Sequence, residues 1–426
     1  GSSGRFVRTV TDFSATLGGK VLDFTRRYDS FGSAEAGSFG FGWSLVWRDL
    51  RVDTDVERTG AESSGVYKPL RAGSRVVLST PSGERVGFSF VPTQVSGTGY
   101  SYFLPRWVAD DGHDWQLESA AMPLQRTASG FFGLDDGAAY NPASLDGEAA
   151  QYTLIDNQGT RYALRVDRGV TGITYADGVH LIVSDSGIVG PGNELISFAS
   201  NAAGRLAQVT APDGKRWDYR YDAHGDLVSV RDLQAGRAER YAYAEADDHR
   251  LTLIAGTGGG EAIRYGAGIG TRPITADLGG ALNYLDRDFG GTLAAGADDL
   301  YALAVRPSET ALPQGGAFIL GVAVEAGPGS TLSPTLPAIE GLTPIAAHAE
   351  GLSAFALFRI DEAGLRTLRI AGTGAGGYVL RLFAAGDVNA DARVDGHDAE
   401  ALIAARGTAA GQAGYLLSAD IDRDGR

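Results

Sequence analysis

Between residues 216 and 222 every second side chain is aromatic: Trp217, Tyr219 and Tyr221 alternate with Arg216, Asp218, Arg220 and Asp222. A period of two belongs to a β-strand, because successive side chains leave a strand on opposite faces. The aromatic face must be buried, while the charged face suits water. Asp213 and Gly214 before this strand, and His224 and Gly225 after it, supply the turns that glycine permits by entering positive φ without steric cost. The pattern then recurs. Gly204, Arg205 and Leu206 return as Gly225, Asp226 and Leu227 after 21 residues, and Tyr221 returns as Tyr243 after 22. A unit this short cannot bury its own aromatic face, so repetition predicts a stack of hairpins, each covering the next. In such a stack Tyr219, Tyr221, Tyr241 and Tyr243 are core or cross-strand ladder residues rather than a sugar-binding platform. With 61 glycines, 17 tyrosines and one methionine, the chain is expected to be mainly β, and residues 1–265 almost wholly so.

These units, with Gly204 to Leu206 leading through a turn to Tyr219, Tyr221, Asp222 and Gly225, resemble the YD-repeat (Rhs) family. Arg27, Tyr28 and Gly32, followed by Gly37, Gly40, Gly42, Trp43 and Ser44, resemble the segment that leads into such repeats. The resemblance spans residues 19–254 and is densest over 204–243. It implies a broad spiralling β-sheet of the kind found in large exported bacterial surface proteins and toxin shells. Two clear units are too few to close a shell, so a piece of such a sheet is expected.

Residues 270–384 change character. Short apolar runs at 300–305, 317–324, 354–360, 365–370 and 378–383 alternate with Gly and Pro, the spacing of a β-sandwich of about 100 residues. Gly256 to Gly260 and Pro273 mark a candidate boundary before it. Gly372, Gly374 and Gly377 formally fit a dinucleotide-binding pattern, but a strand follows instead of a helix, so the reading is a hairpin turn. Modules of this kind resemble the small sandwiches that precede dockerins in exported proteins.

The third region, 385–426, carries the sharpest chemistry. Asp387, Asn389, Asp391, Asp395 and Asp398 fall at positions 1, 3, 5, 9 and 12 of a loop, and Arg393 at position 7 offers its backbone carbonyl. Alternate placement aims oxygens at one centre and suits Ca²⁺, a hard cation that takes roughly six to eight of them. Ala392 stands at position 6, where such loops prefer glycine, and position 12 is Asp rather than Glu. A second loop opens 33 residues later with Asp420, Asp422 and Asp424, and Arg426 stands at its position 7. Residues 399–406 between them read as a short helix stopped by Gly407. The pair of loops resembles a dockerin module with an incomplete second half. The resemblance implies a calcium-folded, partly helical tag that binds a cohesin-like or other extracellular protein domain, with Gly396 and His397 where partner-reading residues stand.

The rest of the sequence narrows the function by exclusion. A net charge of −15 argues against nucleic acid or an anionic membrane as partner. With no cysteine there is no disulfide frame and no thiol nucleophile. The longest apolar run, 317–324, is too short to span a bilayer, so no membrane insertion is expected. Neither a nucleophile elbow, a P-loop nor a zinc-protease motif occurs. His113, His180, His224, His249, His348 and His397 show no metal-ligand spacing. Asp110, Asp111, His113 and Asp114 form a dense polar cluster, read as an exposed acidic turn. Trp43, Trp47 and Trp115 could stack on a glycan if exposed. The expectation is a non-enzymatic, exported structural or adhesive protein of the bacterial surface, using calcium and a docking partner, with self-association through β edges as a further route. The alternatives are a dockerin-bearing carbohydrate-active or carbohydrate-binding protein, or a fragment of a YD-repeat toxin shell.

Overall fold

The structure, a computed structural model, describes residues 4–244, 248–257, 259–266, 268–279, 288–311, 318–391, 393–421 and 425–426. Its largest element is a sheet of fourteen strands running from Gln116–Ser119 and Tyr152–Ile155 to Ile269–Pro273, each strand antiparallel to its neighbour and in chain order. The same turn chemistry recurs along it. The side-chain Oδ1 of Asp156 accepts the N–H groups of Gln158 and Thr160, at 2.9 and 2.8 Å. Asn201 does so for Ala203 and Arg205, and Asp222 for His224 and Asp226, all at 2.9–3.0 Å. An Asx side chain that satisfies two backbone donors replaces the ladder bonds lost at a strand end. Gly159, Gly204 and Gly225 follow three residues on with φ of 82°, 78° and 88°, which explains the Asp/Asn-to-Gly spacing.

Three strand starts, at Leu206, Leu227 and Leu251, are each tied to the following strand by a tyrosine. Tyr221 Oη donates to the carbonyl of Leu206 at 2.6 Å, Tyr243 to that of Leu227 at 2.6 Å, and Tyr265 to that of Leu251 at 3.0 Å. The sheet therefore continues past the Gly256–Gly260 boundary expected from sequence, which is a hairpin joining Leu251–Gly256 to Gly259–Tyr265.

A three-stranded sheet, Val7–Leu17, Lys20–Asp29 and Trp43–Leu45, lies against the aromatic face of these repeats. Phe13 stacks on Trp217 with centroids 4.3 Å apart, Phe39 packs on Tyr219 at 4.8 Å, and Trp43 on Tyr241 at 4.9 Å. Burying each such ring stabilises by about 1.5–3 kcal/mol. At the centre is Arg26, only 1% exposed. Its Nε and Nη2 donate to the two oxygens of Asp12, both at 2.8 Å, and its Nη1 donates to Tyr241 Oη at 2.9 Å. Tyr219 Oη donates to Asp12 at 2.7 Å. Burial by itself would lower the Arg26 pKa, but the Asp12 carboxylate, with Tyr241 and Tyr219, raises it well above the ordinary value. The guanidinium thus keeps its charge inside the core. Two four-stranded sheets drawn from residues 52–133 complete this part, centred on Phe90 against Trp107, Phe131 and Tyr140.

Beyond Pro273 two five-stranded sheets share one core. Asp298–Val305 and Gly364–Thr373 lead the first; Gly376–Ala384, Phe318–Ala326, Ser353–Ile360 and Ala346–Glu350 belong to the second. Leu303, Leu368 and Ile370 meet Leu320, Val322, Phe358 and Leu382 between them, all fully buried. The glycine run near residue 374 is not a hairpin. Gly364–Thr373 and Gly376–Ala384 lie in different sheets, so the run carries the chain across the core edge. Gly374 has φ 79°, and a Cβ there would meet the Thr331 carbonyl at 2.1 Å. Leu253, Ala255, Ala262 and Ile274 pack on Leu300 and Ala302 where the two parts join. Asp298 accepts from Arg272 of the long sheet and Arg369 of the second part, which hold its carboxyl down to about 2.

Two outcomes follow for stability. Arg26→Ala leaves Asp12 buried without its cation and should cost about 3–5 kcal/mol in urea unfolding. Because the folded pKa of Asp298 is depressed, its contribution is present above the unfolded value, about 3.9, and is lost as pH falls toward about 2. Melting curves of wild type and Asp298→Asn should therefore differ at pH 6 and converge at the acid end of about pH 2–4.

Candidate functional site

The tail is a loop, a helix and a return segment tied together by carboxylates. The helix, Gly396–Ala405, starts three residues earlier than its sequence pattern indicates because Asp395 and Asp398 cap it reciprocally. Asp395 accepts the His397 N–H at 2.9 Å, which holds its carboxyl below the usual range, and Asp398 Oδ2 accepts the Asp395 N–H at 2.7 Å. The other oxygen of Asp398 accepts the N–H groups of Val388 and Asn389, at 2.8 and 3.2 Å. Asp398 is 4% exposed, so it clamps both ends of the loop from inside.

Ahead of the clamp, the Asp391 N–H lies between Asp387 Oδ1 at 3.1 Å and Asn389 Oδ1 at 3.0 Å. Two side-chain oxygens sharing one donor are brought into the same small volume. Asp391 Oδ1 accepts the Arg393 N–H at 2.9 Å, and the Asn389 amide donates to Asp391 Oδ2 at 3.2 Å. Ala390, between them, has φ 59°, the left-handed region that few residues other than glycine adopt. Among the described residues no three His, Cys, Asp or Glu side chains group as a metal-holding set on their own. A cation here would draw on Asp387, Asn389 and Asp391, with the Arg393 carbonyl and Asp395. Every one of these donors is a hard oxygen, the type that suits Ca²⁺. Asp398 already bonds three backbone N–H groups, leaving it only its remaining lone pairs for a metal.

In the return segment Asp420, 3% exposed, accepts the Tyr415 hydroxyl at 2.6 Å and the Gly425 N–H at 2.8 Å. Ser418 Oγ donates to the Val388 carbonyl, linking the second loop to the first. Asp422, Asp424 and Ala392 lie outside the described residues. Arg426 lines a groove of about 490 Å³ with Leu402, Ile403, Tyr415 and Leu416. Ile403 is 73% exposed on this surface.

The other sequence candidates are placed elsewhere. Trp43 and Trp47 are buried in the core and have no face free for a sugar, and Trp115 is half-buried near Tyr162. Asp110 pairs with Arg75 at 3.0 Å, and His113 Nε2 lies 3.2 Å from the Gly87 carbonyl, so this cluster is a tied-down turn. His249 is the unforeseen residue. It takes the place held by Gly204 and Gly225 in earlier repeats, with φ 51°, and its ring stacks on Phe41 at 3.8 Å. Its Nδ1 is 2.8 Å from Asp226, whose carboxyl burial pushes up against the pull of that histidine. Its only sequence signal is Leu251 two residues on, the spacing of Gly204 to Leu206. No helix among the described residues is long and apolar enough to cross a membrane.

Among curated proteins none matches this chain. The pre-peptidase C-terminal domain of a collagenase from Bacillus anthracis is 22% identical and aligns over 26% of this chain and 97% of its own length, with a TM-score of 0.19. The TcdB2–TccC3 structure aligns at 12% identity over 62% of this chain, which spans only 16% of that one, with a TM-score of 0.30. Scores this low leave the architecture resting on the sheets and cores described above. Residues 201–238 match the family model described as RHS Repeat, which covers the turns at Asn201 and Asp222 and the Leu206–Tyr221 tie. The chain carries an Rhs repeat.

Proposed function

We propose that this chain is a non-enzymatic, exported structural or adhesive protein of the bacterial surface, in which an Rhs-type β scaffold presents a calcium-ordered, dockerin-like tail to a protein partner. One observation carries the reading: Asp387 and Asn389 turn their oxygens onto the single Asp391 N–H, inside a loop that Asp398 closes on the helix. Like charges about 4 Å apart repel by about 1 kcal/mol in bulk water and about 4 kcal/mol near a protein surface. A loop with Asp387, Asp391 and Asp395 on one short arc bears that repulsion without any large apolar core of its own. Bound calcium would neutralise the charge and couple its binding energy to folding of the loop. The scaffold suits display, since its conspicuous aromatic residues are spent on packing and its carboxylates on turns and ion pairs. The partner expected is a cohesin-like or other extracellular domain.

Calorimetry of the whole chain with calcium and with a chelator tests this. Calcium at a hundredfold excess over Kd should stabilise the tail by about 2.7 kcal/mol, as a separate transition that chelation lowers while both β cores melt unchanged. Asp387→Ala with Asp391→Ala should abolish the response, and Asp111→Ala with Asp114→Ala should retain it. Superimposable thermograms with and without calcium would sink the proposal.

A further inference from the structure

One edge of the second part is bare. Ala346–Glu350 ends the five-stranded sheet, and all five residues are exposed. Among the described residues it pairs on one side only, with Ser353–Leu357 in unbroken register. In an antiparallel ladder every second residue then turns its N–H and C=O outward, a row of unpaired donors and acceptors. Two edges of the first part carry blocking devices. Val7–Leu17 has a register break between Thr11 and Phe13, and Ile269–Pro273 ends in proline beside the ion-paired Arg272. Ala346–Glu350 has no proline, lysine or bulge, and it is flanked by exposed Ile345 and Leu352, 56% and 58% accessible.

We propose that this strand pairs antiparallel with the same strand of a second copy, about a two-fold axis at His348, so that two five-stranded sheets become one of ten. The side chains decide both partner and direction. With His348 on the axis, Ala347 falls opposite Ala349 of the second copy, and Ala346 opposite its Glu350. Three alanines leave the backbones free to reach the ladder spacing of about 4.8 Å. Each Glu350 lies diagonal to His348 of the other copy, a carboxylate beside an imidazole, whereas a parallel in-register pairing would set Glu350 against Glu350. At both ends Ile345 comes beside Leu352 of the second copy, covering the exposed apolar pair. A two-fold contact of this kind is closed, so association stops at the dimer. The strand lies outside the calcium loop, and the inference does not rest on calcium binding.

Sedimentation velocity of the full chain over a concentration series is the test. A reversible monomer–dimer equilibrium is expected. Ala347→Lys with Ala349→Lys, on exposed positions, should keep the circular dichroism spectrum and raise the dimer Kd at least about tenfold by placing charge on the pairing edge. Thr93→Lys with Val95→Lys, on the separate edge strand Thr93–Gly97, should leave the dimer intact. A wild type that stays monomeric, a lysine variant that dimerises unchanged, a control that dissociates equally, or growth beyond the dimer would each overturn the proposal.

Discussion

Arg26 and Asp12 hold a full charge pair at the centre of an aromatic core, and the first part of the protein is organised around the cost of keeping them there. Removing two ions from water costs several kcal/mol each, recovered only when geometry and hydrogen bonding are nearly complete. Both conditions are met by residues distant in sequence. The guanidinium forks onto Asp12, Tyr241 takes a third donor, Tyr219 donates to the carboxylate, and the Trp43 ring lies 5.2 Å away. A displacement of the N-terminal sheet along the repeats would unpair all of these at once. The pair therefore sets where the hairpin sits on the sheet, a role in register more than in net stability.

The long sheet extends by a rule that needs no such centre. An Asp or Asn closes the turn, a glycine three residues later allows positive φ, and a tyrosine returns to the carbonyl of the preceding strand. Each unit satisfies its own backbone and offers one aromatic face to its neighbours, so strands add without long-range instruction. His249 departs from the rule where the N-terminal segment arrives. A side chain replaces glycine, accepts the backbone strain, and contacts both Phe41 and Asp226. Tyr28 adds to this join, donating to the His249 carbonyl and accepting the Leu251 N–H, each at 2.9 Å.

The second part and the tail follow different physics. Two sheets with fully buried Leu, Val and Phe between them need no charge at the centre, and their join to the long sheet combines a small apolar cluster with the Asp298 bridges. The tail has little apolar interior, with Leu402, Ile403, Leu416 and Leu417 all exposed, and its order comes from carboxylates on backbone N–H groups. Scaffold and tail are thus held by opposite means.

Local rules were legible in the chain itself. The period of two at 216–222 located a strand, Asp213, Gly214, His224 and Gly225 located turns, and the Gly204–Leu206 spacing exposed a repeat now matched by the Rhs model. The oxygen spacing from Asp387 to Asp398 marked a wound loop, although its helix began earlier than the apolar pattern because a cap is decided by hydrogen bonds and not by periodicity. What stayed hidden was set by contacts across hundreds of residues. Nothing near Arg26 announces Tyr219 and Tyr241, strands 152–200 lack the aromatic signature yet join the same sheet, and Gly374 resembles any turn until Thr331 closes against it. Sequence carries what a residue does to its own backbone, whereas burial, pairing partners and the sheet to which a strand belongs depend on which distant surfaces can exclude water together, and only the assembled fold decides that.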